Sequence, residues 1–136
     1  MTERQPYVLL CEDDENDAIL FELEWQKAGF TTPLRVMANG EKVLALLARC
    51  RDASEPCPEL IISDHKLLVG GGMDILTRVR NTPILSKIPV ILTSGVVNSA
   101  IKQQAMSLGA IDVWEKPATA EDFAKLANIL PLLLGR

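Results

Sequence analysis

Four short apolar runs in this chain each give way to a polar or charged residue, and that recurrence constrains the fold more than any other feature. Tyr7-Val8-Leu9-Leu10-Cys11 leads into Glu12-Asp13-Asp14, and Leu60-Ile61-Ile62-Ser63 into Asp64. Pro89-Val90-Ile91-Leu92-Thr93 delivers Ser94, and Asp112-Val113-Trp114 comes just before Lys116-Pro117. Runs of this length and composition read as strands. In an open parallel sheet ligands bind beyond the carboxyl ends of the strands, so these polar residues would gather on one edge.

The stretches between the runs have helical character. Glu15 to Ala28 carries Ala18, Ile19, Phe21, Leu23, Trp25 and Ala28 as a rough apolar stripe, with Gly29 as a C-terminal cap. Thr32 to Met37 reads as a second strand and Asn39-Gly40 as a turn. Val43, Leu44, Leu46 and Leu47 then recur at helical spacing. Arg51 to Pro58 is polar, holds two prolines and reads as a loop. Gly70-Gly71-Gly72 opens a helix with Ile75, Leu76 and Val79 inward. Ser99 to Leu108 forms another helix, Ile111 to Trp114 the fifth strand, and Thr119 with Asp122 a capping box for the last helix. Five strands alternating with five helices predict a three-layer α/β domain with right-handed crossovers. The expected organisation is one domain over residues 1–136, its core at about 7–130, with no output domain.

Composition narrows the partners. Hydrophobic residues make up 48% of the 136, enough for a core, and a net charge of −4 provides no basic patch for phosphate backbones, so direct nucleic-acid binding is not expected. No apolar stretch reaches the roughly 18 residues of a membrane span, and no Lys/Arg-led apolar segment opens the chain. Cys11, Cys50 and Cys57 are odd in number and without close paired spacing, so reduced thiols in a cytoplasmic protein are expected. One histidine and scattered cysteines exclude a four-ligand zinc pattern.

Each polar residue at the strand ends also has a plain structural reading. Asp13 or Asp14 could cap the following helix, Asp64 could serve a turn, Ser94 is a common turn hydroxyl, and Lys116 could be a solvated surface lysine. Together they suggest one site, because acids gathered this closely repel each other unless a cation sits among them. Gly70 to Gly72 lacks the Lys-Ser/Thr ending of a phosphate loop and reads as a flexible bend. Strand alternation turns His65 away from Asp64, which favours a structural role.

The set of motifs resembles the receiver domain of two-component response regulators, over nearly the whole chain from Tyr7 to Leu130. The features that carry the resemblance are the acidic pair Glu12-Asp13, the strand-end Asp64, Ser94-Gly95 and Lys116-Pro117. Lys116 follows Asp64 by 52 residues, and Gly72 stands eight residues past Asp64. The resemblance implies a flavodoxin-like fold with strand order 2-1-3-4-5, the order for which the type example is itself a member of this family. It implies that Asp64 accepts a phosphoryl group from a histidine kinase or a histidine phosphotransfer protein. Glu12, Asp13, Asp64 and the Lys66 backbone carbonyl would hold Mg²⁺, while Lys116, the Ser94 hydroxyl and the Gly95 amide would meet the phosphoryl group. Such a protein catalyses only its own phosphorylation and dephosphorylation. It signals through protein contacts, with a homodimer through the fourth helix, fifth strand and fifth helix as one partner expectation.

Two positions depart from the family pattern. Leu68 stands where a proline is common, four residues past Asp64, and Val113 stands where an aromatic switch residue is usual. Trp114 is one place along, so it should face the other side of its strand and belong to the core. Two other classes use related features. A hydrolase of the haloacid dehalogenase type wants a second aspartate two residues past its nucleophile, where Lys66 stands. A flavodoxin-like electron carrier wants an uncharged loop after the first strand, and Glu12-Asp13-Asp14 would repel its phosphate.

Overall fold

The computed structural model describes residues 6–67 and 70–134. Five strands, β1 (Val8–Cys11), β2 (Leu34–Met37), β3 (Leu60–Asp64), β4 (Val90–Ser94) and β5 (Asp112–Glu115), form a parallel sheet in the order β2-β1-β3-β4-β5. Between and after them run α1 (Glu15–Lys27), α2 (Gly40–Arg51), α3 (Gly72–Asn81), α4 (Ser99–Ser107) and α5 (Ala120–Leu133). The expected fold class and strand order are both present. Boundaries moved where side-chain pattern is a weak guide: β2 starts at Leu34 and not at Thr32, and β4 takes in Ser94 and leaves out Pro89.

Period-two alternation builds two cores from one set of strands. Leu9, Cys11, Ile61, Val90, Leu92 and Val113 face α2, α3 and α4, where Val43, Leu46, Ile75, Leu76 and Ala105 close the layer. Val8, Leu10, Leu60, Ile62, Ile91 and Trp114 face α1 and α5, meeting Ala18, Trp25, Phe123 and Leu126. Val113 and Trp114 therefore lie in different cores, as strand alternation requires. At roughly 1.5–3 kcal/mol for each large apolar side chain fully buried, these two layers dominate the stability of the fold.

Helix starts follow local chemistry. Asp14, Asn39, Asn98 and Thr119 accept backbone N–H bonds at the starts of α1, α2, α4 and α5, each worth about 1 kcal/mol. The capping box of Thr119 and Asp122 is complete. Asp14 thus takes the capping role that the sequence left open between it and Asp13.

Several expectations need correction. Ile19, Leu23 and Ala28 of the presumed α1 stripe are exposed, because α1 buries only Ala18 and Trp25 and half-buries Phe21. Cys50 and Cys57 form a disulfide, not two reduced thiols; the last turn of α2 and the loop before β3 bring their Cα atoms to 5.0 Å, within bonding range. Cys11 is the free cysteine, buried in β1. Close packing requires glycine at the start of α3: a Cβ on Gly72 would stand 2.7 Å from the Asp64 carbonyl oxygen, and one on Gly71 2.8 Å from that of His65, whereas Gly70 is set apart by its φ of +77. Leu68, the other departure noted above, lies outside the described residues.

Arg80 was not singled out by sequence pattern. From α3 it donates hydrogen bonds to the carbonyls of Gly109, Ser86 and Ile88, tying the helix to the approaches of β4 and β5. Gly109 has φ +103 and leaves no room for a side chain against the Arg80 stem.

Candidate functional site

Sheet register sets the positions of the polar residues. Cys11 pairs with Ser63, so Glu12, one residue past β1, comes level with Asp64. Asp64 pairs with Thr93, and Ser94 with Glu115, which puts Ser94 and then Lys116 at the same carboxyl edge. The Lys116 amide donates to the Ser94 carbonyl at 2.8 Å and joins the two loops.

Glu12 and Asp64 are buried and Asp13 is exposed, and one carboxylate oxygen from each lies within 4.8 Å of those of the other two. Such a set of hard oxygen donors, partly open to solvent, suits a divalent cation that keeps some of its water. The Lys116 ammonium is held by three acids. It donates to Asp64 Oδ2 at 2.7 Å and meets Glu12 Oε1 at 2.6 Å and Asp17 Oδ2 at 3.3 Å. Burial works against the Lys116 charge, but the hydrogen bonds to Asp64 and Glu12 outweigh it and raise its pKa. Burial also raises the pKa of Glu12, against the pull of Lys116 and of the Asp14 amide. The cation at the centre of the cluster is therefore firmly protonated.

The remaining expected residues sit nearby with other partners. The Lys66 amide donates to Asp64 Oδ1 at 3.3 Å, and its side chain is exposed. The Ser94 hydroxyl donates to the Val96 carbonyl at 2.8 Å and accepts from the Val96 amide, so it is engaged within its own loop. Gly95 follows it, with open space where a side chain would stand. Sequence reasoning missed Asp17. The only sign available was an acid in the first turn of α1, one helical turn past Asp13. A cavity of about 400 Å³ opens beside Lys116, lined among others by Leu20, Phe21, Pro117 and Phe123.

The model of the response regulator receiver domain matches residues 8–128. Among curated proteins, the two-component response regulator ORR3 of rice (Oryza sativa subsp. indica) is 28% identical over 93% of this chain and 91% of its own length. The receiver domain structure from Rhodospirillum rubrum is 26% identical, with a TM-score of 0.75 over 95% of this chain and 92% of that one. The fold is shared by the Mn²⁺-bound form of the response regulator Rcp1, at 22% identity, TM-score 0.76, and coverage of 95% and 94%. The chain belongs to the response regulator receiver domain family, the signalling module of two-component systems.

Proposed function

We propose that this protein is a phosphoacceptor response regulator in which Asp64 receives a phosphoryl group in a Mg²⁺-dependent reaction. The observation that carries this reading is the convergence on Asp64 of one ammonium and two further acids from distant parts of the chain. An Asp64 carboxylate oxygen attacks phosphorus, forming an acyl phosphate as the bond from phosphorus to the donor breaks. With a histidine kinase or histidine phosphotransfer protein as donor, the leaving group is the imidazole nitrogen. Glu12, Asp13, Asp64 and the Lys66 carbonyl would hold the metal, and the relative Rcp1 is known in a Mn²⁺-bound form. When bound, the cation offsets charge on the transferring phosphoryl oxygens.

Lys116 supplies the second positive charge, already in contact with the acceptor. Ser94 and the Gly95 amide receive the phosphoryl oxygens once the hydroxyl leaves Val96. The apolar cavity beside Lys116 gives a protein donor a surface to cover next to the acceptor. Residues 1–136 act as one receiver unit, and the effect passes through protein contacts, with no direct role for nucleic acid or membrane. A cytoplasmic setting fits the donor class, although the Cys50–Cys57 bond removes the reduced thiols as an argument for it, and among the described residues no helix is long and apolar enough to cross a membrane. Labelling with a small acyl phosphate and Mg²⁺ tests the reading. Wild type should gain acid-stable, base-labile phosphate and Asp64→Asn should gain none; equal labelling of both would overturn it.

A further inference from the structure

Of the three carboxylates that hold Lys116, two belong to the cluster suited to a metal and the third does not. Glu12 and Asp64 share that cluster with Asp13, whereas Asp17 comes from the first turn of α1 and stands outside it. The Asp17 amide is bonded to Asp14 Oδ1 at 2.9 Å, so the turn that carries it is fixed by the helix cap. Its Oδ2 then reaches the Lys116 ammonium at 3.3 Å, across 99 residues of sequence. Three N–H donors on one ammonium meet three acids. Any cation at the cluster competes with Lys116 for two of them and leaves the third.

We propose that Asp17 is a positioning residue for Lys116, holding its ammonium beside Asp64 when Glu12 and Asp64 are engaged elsewhere. This rests on the phosphoacceptor reading and adds to it a residue outside the recurring acid, hydroxyl and lysine set. If Asp17 acted only as a nearby negative charge, its removal would ease the approach of an anionic phosphoryl group. Positioning through Lys116 gives the reverse sign, and the effect vanishes when Lys116 is absent.

The test is a double-mutant cycle on the affinity for beryllofluoride in the presence of Mg²⁺, read by tryptophan fluorescence or amide shifts. Asp17→Asn should bind about three- to five-fold more weakly than wild type, the scale of a partly exposed ion pair. Asp17→Glu, which keeps the carboxylate, should stay within two-fold. In a Lys116→Met background, Asp17→Asn should change nothing. A second reading does not need the mimic to bind: acylation of the Lys116 amine, followed by mass spectrometry, should quicken several-fold in Asp17→Asn and not in Asp17→Glu. Tighter binding in Asp17→Asn, or equal weakening with and without Lys116, would overturn the proposal while leaving the acceptor assignment intact. Failure of folded wild type to bind the mimic would overturn the phosphoacceptor reading itself, and the proposal with it.

Discussion

Lys116 Nζ stands 2.7 Å from Asp64 Oδ2, although 52 residues separate the two in sequence. The sheet accounts for this proximity. Each residue lies at or just past the end of its strand, and β4 between them sets the register. Four consequences can be measured before the acceptor assignment itself is tested.

Metal binding should stabilise the fold, because it relieves repulsion among Glu12, Asp13 and Asp64. At ten times its dissociation constant, Mg²⁺ should add about 1.4 kcal/mol to the unfolding free energy. Asp13→Ala removes the exposed member of the set and should lose most of that gain. Urea denaturation with and without Mg²⁺ reads the effect, and identical gains for both proteins would take Asp13 out of the cluster.

Gly72→Ala tests how tightly α3 is docked under the acceptor. In most helices alanine would help, but here its Cβ meets the Asp64 carbonyl oxygen at 2.7 Å and a Leu92 methyl at 2.8 Å. A loss of about 1–3 kcal/mol is expected. Gly95→Ala, which enters open space, should stay within about 0.5 kcal/mol of wild type. Equal thermal shifts for the two variants would contradict the packing argument.

Cys11 gives a pH signature. Burial pushes its thiol up from 9.0 to about 12, so the folded state holds the proton more tightly than the unfolded chain. The resulting stability is fully present below pH 9 and is lost as the pH rises from there towards 12. Denaturation at pH 8 and pH 10 should therefore show a steeper loss in wild type than in Cys11→Ala. The same burial should protect Cys11 from alkylation until the protein unfolds.

The output should travel by the loop after β4. Val113 is buried in the core that includes Ala105 of α4, and its small side chain cannot swing into space vacated by Ser94. Beryllofluoride should therefore move the amides from Gly95 to Leu108 as the Ser94 hydroxyl leaves Val96. Moving an equilibrium from 1:99 to 99:1 needs roughly 5.5 kcal/mol, more than one hydroxyl and one ammonium contact supply. Completion by a second copy is expected through α4, β5 and α5, where Met106, Ile129, Leu132 and Leu133 are exposed. Sedimentation with the mimic should show a dimer; a monomer with unmoved amides would defeat this route.

The strand-end polar residues were legible because helices alternating with the runs make the sheet parallel. In a parallel sheet the carboxyl ends of the strands, and with them Glu12, Asp64, Ser94 and Lys116, share an edge. The α1 stripe was misread because Ile19 and Leu23 keep helical spacing yet face solvent, and spacing alone does not say which arc of a helix is covered. Asp17, Arg80 and the Cys50–Cys57 bond depend on contacts between elements that no periodicity encodes. Asp13 and Asp14 were separated only by geometry: one joins the acidic cluster and the other caps α1.

The central claim is that Asp64 carries the phosphoryl group, and borohydride trapping reads it most directly. Reduction of an acyl phosphate converts the aspartate to homoserine, which peptide mass spectrometry locates. After treatment with a small phosphodonor and Mg²⁺, homoserine should appear at position 64, and it should be lost when Mg²⁺ is withheld. Homoserine at another acidic position, or none in protein that has taken up phosphate, would contradict the account.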